Sequence, residues 1–231
     1  MMPADRSQVE LWSHFQTERP EVFEVSKNRL DRLIRLAEKI SDGRSLLNIG
    51  CGSAYLEYTA QQRRWNVISV DPDPKSIECL KSAGIDARCG IIESLPVQSE
   101  SVDVVVATEV FEHLVPDSMN AGLGEIQRVL ARGGVLIGTV PFRENLADNE
   151  VFCPQCKIRF HRWGHHQTFD ISNMRAILQK YFVVRSLRPV FFAPWKTLDW
   201  KGRLSVSARL VFSWFGVHGS TSNLLFVTYK T

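Results

Sequence analysis

Leu46-Leu47-Asn48-Ile49-Gly50-Cys51-Gly52-Ser53-Ala54, followed by Trp65-Asn66-Val67-Ile68-Ser69-Val70-Asp71, decides the fold of this chain. An apolar run ending in Gly50-Cys51-Gly52 reads as a strand that turns sharply, with backbone able to approach a ligand closely. Asp71, at the end of the next β-branched run, is placed to accept hydrogen bonds from both hydroxyls of a ribose. The pair points to a nucleoside pocket. The bland alternatives are that the glycines only make a turn and that Asp71 caps a helix beginning at Pro74.

A dinucleotide fingerprint needs a third glycine where this chain has Tyr55, and a bulky ring there prevents the helix from lying tight on the strand. NAD is therefore disfavoured. Outward from this core, apolar strands alternate with amphipathic stretches, the pattern of parallel pairing through helical crossovers. Strands are expected at Ser45 to Ile49, Asn66 to Val70, Ala87 to Cys89, Val102 to Ala107, Val135 to Val140, Phe182 to Leu187 and Asn223 to Thr228. Helices are expected at Glu21 to Ile40, Tyr55 to Arg63, Lys75 to Ala83, Ala121 to Leu130 and Ile171 to Lys180. Arg132-Gly133-Gly134 would stop the fourth of these and Asp170 would cap the fifth. The fold class is thus α/β, a doubly wound, mostly parallel seven-stranded sheet in a single domain. Residues 1–43 would form an N-terminal helical cover, and residues 142–169 an insertion or lid after the fifth strand.

The 231 residues carry a net charge of +3, too little to mark a dedicated nucleic-acid binder. Met1-Met2-Pro3-Ala4-Asp5-Arg6-Ser7 lacks a signal-peptide core, and no apolar run is long enough to span a bilayer, so a cytoplasmic location is expected. Five cysteines do not suggest a disulfide framework. Cys51, Cys79 and Cys89 read as small packing residues.

Residues 45–140 resemble the class I S-adenosylmethionine-dependent methyltransferases, in particular the type-11 and type-23-like families that act on small molecules. Besides Gly50-Cys51-Gly52, the segments Glu93-Ser94-Leu95-Pro96-Val97 and Ser101-Val102-Asp103-Val104-Val105 resemble their Leu-Pro-Phe and Phe-Asp-Val-Val motifs. Thr108-Glu109-Val110-Phe111-Glu112-His113-Leu114 resembles their Glu-x-x-Glu-His-Leu stretch, and Arg128 to Gly134 their Leu-x-Pro-Gly-Gly turn. The resemblance implies a Rossmann-like methyltransferase fold whose last strand is antiparallel and lies between the fifth and sixth. It implies that Asn48, Gly50, Cys51 and Gly52 meet the methionine part of the cofactor and Asp71 the ribose. Pro72, Ile91 and Ile92 would meet the adenine, with Thr108 and Glu109 beneath the sulfonium. The family usually has Asp where this chain has Asn48 and Ile91. Each loss removes a charged partner, which would weaken cofactor binding or leave a catalytically silent binding module.

Between the fifth strand and the next helix, Cys153-Pro154-Gln155-Cys156 precedes His161, His165 and His166. Two thiolates and two imidazoles suit tetrahedral zinc, giving Cys153, Cys156, His161 and His165 as a candidate structural Zn²⁺ site, with His166 as an alternative fourth ligand. The competing functional reading makes His165 or His166 a general base toward the methyl acceptor, and the plainest has the histidines simply pack the loop. Leu204 to Val217, preceded by Trp195, Lys196, Trp200, Lys201 and Arg203, would pack on the final strand, line the acceptor pocket or lie at a membrane interface. The favoured acceptor is a small molecule, a sugar or a lipid-linked intermediate methylated at oxygen. Nucleic-acid base amines are disfavoured because Thr108-Glu109-Val110-Phe111 stands where those enzymes carry Asn or Asp, two prolines and an aromatic. An RNA or protein acceptor, bound along the basic residues from Arg185 to Arg209, is the alternative.

Overall fold

Five parallel strands form the centre of the computed structural model, which describes residues 6–193, 198–214 and 222–231. They are β1 (Ser45–Ile49), β2 (Asn66–Asp71), β3 (Asp86–Cys89), β4 (Val102–Thr108) and β5 (Leu130–Pro141). A short antiparallel hairpin, β6 (Glu150–Phe152) and β7 (Arg159–His161), stands apart from the main sheet. β8 (Val183–Val190) and β9 (Asn223–Tyr229) complete seven strands in the order β3-β2-β1-β4-β5-β9-β8, with β9 antiparallel to both neighbours. This is the doubly wound, mostly parallel α/β sheet expected from the sequence, with the antiparallel strand in the expected place.

The helices are α1 (Arg6–Glu18), α2 (Lys27–Ile40), α3 (Tyr55–Gln62), α4 (Pro74–Ser82), α5 (Pro116–Val129), α6 (Ile171–Leu178) and α7 (Trp200–Trp214). Successive side chains of β4 go to opposite faces of the sheet, and both faces are dry. Val105 and Ala107 join Leu123 and Ile126 of α5 with Met174 of α6, whereas Val104 and Val106 join Leu33 and Ile34 of α2 with Leu56 of α3. Gly138 of β5 is required by packing: a Cβ there would stand 2.2 Å from both the Ala107 carbonyl and the Phe226 ring of β9. The closing strand therefore lies tight on β5 because one side chain is absent.

Several boundaries differ from the expected ones. The stretch read as one helix from Glu21 begins as a 3₁₀ turn over Pro20–Ser26, in which Ser26 Oγ donates to the Phe23 carbonyl at 2.6 Å, and α-helix starts only at Lys27. α5 begins at Pro116 rather than Ala121, because a proline suits a first helical turn even where the apolar periodicity is thin. That helix ends at Val129, and Arg132-Gly133-Gly134, expected to act as its stop, already belong to β5, which starts at Leu130. Asp73, not Asp71, caps α4, accepting from Ser76 N at 3.0 Å. Asp170 caps α6 in a capping box with Asn173. Cys51 is buried as expected, but Cys79 and Cys89 are exposed and so are not core-packing residues.

Among the described residues no helix is long and apolar enough to cross a membrane. In α7 Val206 is buried while Trp200, Leu204 and Val211 are exposed. Trp195, Lys196 and Val217 lie outside the described residues.

Candidate active site

Strand order reverses between β1 and β4, whose first connections run to opposite sides, and such a switch point opens a crevice beyond the carboxyl ends of the strands. A cavity of about 620 Å³ occupies that place. All ten residues singled out for the cofactor line it: Asn48, Gly50, Cys51 and Gly52 from the first turn, Asp71 and Pro72 from the second, Ile91 and Ile92 after β3, and Thr108 and Glu109 after β4. His165 and His166 line it too, with Glu112 and His113. Trp12, Phe23 and Arg29 contribute from the N-terminal segment.

Asp71 holds the first turn to the second. Its Oδ2 accepts from Cys51 N at 2.9 Å and from Cys51 Sγ at 3.2 Å, and its Oδ1 accepts from Asp73 N at 2.9 Å. Burial pushes this carboxyl above the usual aspartate range, against the opposing pull of the Asp73 and Cys51 amides. Gly50 and Gly52 sit at φ +83° and +50°, where an L side chain would be strained. Asn48 donates to Glu57 Oε1 at 2.7 Å and to the Gly50 carbonyl at 3.1 Å, while its own Oδ1 is buried without a partner. Ser69 Oγ donates to the same Glu57 oxygen at 2.6 Å. The carboxyl that the resemblance leads one to expect at position 48 stands instead on α3, as Glu57, where burial raises its pKa. Sequence reasoning missed Glu57. Its one signal was an acid beside Leu56 on the buried face of a short helix.

Glu109 is fixed at the end of β4 with a positive φ of 54°, a conformation that costs a non-glycine residue about 1–3 kcal/mol. Thr139 Oγ1 donates to its Oε1 at 2.8 Å, Asn223 Nδ2 to its Oε2 at 2.9 Å, and Arg29 lies 3.6 Å from Oε2. Thr108 is tied to Thr139 at 2.7 Å. Asn223 reaches this place because β9 pairs antiparallel with β5, opposing Asn223 to Pro141. No local signal in the sequence announced that.

Across the cavity stands a group of histidines. His113 and His165 meet edge to face with ring centroids 4.8 Å apart, and His161 stacks on His165 at 4.5 Å. Trp12 of α1 meets His113 at 5.1 Å, and Phe15 meets Trp163 at 5.1 Å. His165 Nδ1 is 2.5 Å from Glu144 Oε2, and His113 Nδ1 is 3.3 Å from the Gly164 carbonyl. Burial, then His165, push the His113 pKa down to about 3. Glu112 is fully buried, no hydrogen-bond donor reaches either of its oxygens, and burial followed by Glu109 raises its pKa well above the usual range.

The four candidate zinc ligands do not come together. Cys153 and Cys156 sit at the tip of the β6–β7 hairpin, half-buried and exposed respectively, whereas His161 and His165 lie at its base beside Glu144. The hairpin separates them because Glu150 to Phe152 pair with Arg159 to His161, which carries the Cys-x-x-Cys turn outward. His161 and His165 instead join a mixed histidine and carboxylate cluster, to which Glu144, unremarked in the sequence, belongs.

A family model described as a methyltransferase domain matches residues 47–138. A protein of Mycolicibacterium smegmatis named a probable S-adenosylmethionine-dependent methyltransferase is 34% identical over 111 residues, 47% of this chain and 42% of that protein. A ubiquinone biosynthesis O-methyltransferase of Bradyrhizobium is 34% identical over 101 residues, 41% of this chain and 39% of its own length. The matching segment thus spans about two fifths of these relatives. The N-methyltransferase NodS of Bradyrhizobium japonicum, solved with S-adenosylhomocysteine, shares the fold with a TM-score of 0.62 at 16% identity, covering 97% of this chain and 96% of that one.

Proposed function

We propose that this chain, residues 47–138 of which match a methyltransferase-domain model, is a class I S-adenosylmethionine-dependent methyltransferase that transfers the methyl group to a hydroxyl oxygen. The acceptor would be a small molecule, a sugar or a lipid-linked intermediate. One observation carries the reading: every residue the sequence assigned to the methyl donor lines a single cavity, and that cavity opens on the histidines. The unpartnered Oδ1 of Asn48 supports it further, because a buried acceptor without a donor costs about 1–3 kcal/mol, which the ammonium of the donor would offset. That also favours an active site over a silent module.

The donor brings its own strong electrophile, a sulfonium methyl. The chain's residues then bind, orient and exclude water. Asp71 would hold the ribose, and Gly50 and Gly52 would let backbone approach the methionine part. Glu109, held from three sides, presents fixed negative charge beneath the sulfonium. Trp12 and Phe23 cover the cavity, and residues 142–169 act as the lid on the acceptor side. His166, which lines the cavity with its backbone N–H donating to the Glu112 carbonyl at 2.7 Å, takes the hydroxyl proton. The acceptor oxygen bonds to the methyl carbon as the carbon–sulfur pair returns to sulfur. His165 is committed through Nδ1 to Glu144 and holds rather than accepts. The proposed setting is cytoplasmic, where thiols stay reduced.

Calorimetry with S-adenosylhomocysteine and transfer of labelled methyl to a panel of hydroxylated acceptors test the reading. Saturable binding with transfer to an oxygen acceptor is the expected result. Absence of binding at millimolar ligand refutes it.

A further inference from the structure

We propose that Glu112, His113 and His165 bind a divalent transition-metal cation at the acceptor end of the cavity, and that this cation holds and acidifies the hydroxyl to be methylated. One candidate ligand atom from each of the three lies within 4.8 Å of the others, and all three residues line the cavity. Donors sharing one ion at about 2.1 Å stand closer than this, so binding draws the side chains together by small rotations.

The tautomers set the ligand list. His113 Nδ1 faces the Gly164 carbonyl and His165 Nδ1 faces Glu144 Oε2, both acceptors, so each Nδ1 carries the hydrogen and each Nε2 keeps its lone pair. An imidazole donating through one nitrogen to a carbonyl or carboxylate is the usual outer support of a metal-binding histidine. His161 is in the opposite state. Its Nδ1 accepts the backbone N–H groups of Trp163 and His165, so Nε2 bears the proton, 3.4 Å from Glu144 Oε1, and cannot ligate. Glu112 supplies the independent mark of a ligand: it is fully buried and both its oxygens lack a donor, an arrangement that a cation satisfies.

Two imidazoles and one carboxylate suit manganese, iron, cobalt or zinc better than magnesium, and they leave coordination positions open. An acceptor hydroxyl in one of those positions loses its proton more readily, as metal-bound water does. The proton departs as in the methyl-transfer reading above, the oxygen forms its bond to the methyl carbon, and the carbon–sulfur pair goes to sulfur. This step rests on the methyl-transfer reading above, but binding of the cation does not.

The test titrates Co²⁺, and then Mn²⁺ and Zn²⁺, into the full chain, with calorimetry and the visible spectrum of cobalt as readouts. One equivalent is expected, with bands of nitrogen and oxygen ligation and no thiolate-to-cobalt charge transfer. Cys153→Ser/Cys156→Ser leaves this equivalent unchanged. His165→Ala weakens it by more than about 100-fold and Glu144→Gln by about 10- to 100-fold, each variant being checked for fold by circular dichroism. The proposal is overturned if the wild-type chain binds no cation, if His165→Ala binds as tightly, or if the cation disappears with the two cysteines. A chain that binds the cation but not S-adenosylhomocysteine would sustain this inference while removing the methyl-transfer reading.

Discussion

Replacing Asp71 with alanine should weaken binding of S-adenosylhomocysteine by about 10- to 100-fold, and the magnitude follows from the acceptor capacity of one carboxylate. Two oxygens offer about four lone-pair positions. Three are taken by Cys51 N, Cys51 Sγ and Asp73 N, leaving one for a ribose hydroxyl and a second when the weakly held thiol turns away. One hydrogen bond to a charged group is worth about 1.5–3 kcal/mol, which is roughly one to two powers of ten in affinity. The same substitution strands two buried amides at about 1–3 kcal/mol each, so the unfolding free energy falls as well. Calorimetry on Asp71→Ala, with Cys51→Ala alongside, separates the effects: the cysteine variant keeps its backbone amide on Asp71 and should bind within about twofold of the parent. A folded Asp71→Ala protein with unchanged affinity would show that the sugar lies elsewhere.

Gly122→Ala places a Cβ 2.8 Å from Ile92 Cγ1, pushing that side chain toward the cavity it lines. Affinity for S-adenosylhomocysteine should fall several-fold with little change in melting temperature; a large loss of stability without a binding change would contradict this. Gly138→Ala drives a Cβ into the Ala107 carbonyl and the Phe226 ring, so urea unfolding should show a loss of about 3 kcal/mol or more. Because burial raises the Glu57 pKa, its contribution to stability is fully present below the ordinary carboxyl range and is lost as pH rises through the native value. Glu57→Gln should therefore flatten the fall of stability with rising pH, and parallel curves for the two proteins would refute that assignment. Asp170→Ala removes the capping box of α6 and should cost about 1 kcal/mol by the same unfolding assay.

The strands and the residues of the first and second turns that line the cavity were legible because they are local. An apolar run, two glycines and an acid at the end of the next strand specify a turn, a close backbone approach and a carboxylate, whatever the rest of the chain does. Periodicity was a poorer guide where a helix begins on polar residues, as at Pro116, or where the chain winds tightly first, as over Pro20–Ser26. The acceptor side was legible only as a list of residue types. Cys153, Cys156, His161 and His165 are near one another in sequence, and their spacing suited zinc. Pairing of β6 with β7 sends the cysteines to the hairpin tip and brings His165 instead to Glu144, which precedes the hairpin, and to Glu112 and His113, which follow β4.

Sequence alone determined the sheet, its order of elements and the residues that line the cavity beyond β1, β2 and β4, since backbone conformation and hydrophobic pattern act over a few residues at a time. Tertiary structure decided which side chains share a charge or a proton: that Asn48 leans on Glu57, that Glu109 is gripped by Asn223 from the last strand, and that His113 and His165 meet beside a buried carboxyl. Those contacts join residues far apart in the chain, and the electrostatic and hydrogen-bond energies that govern them fall off over a few ångströms of space, irrespective of distance along the sequence.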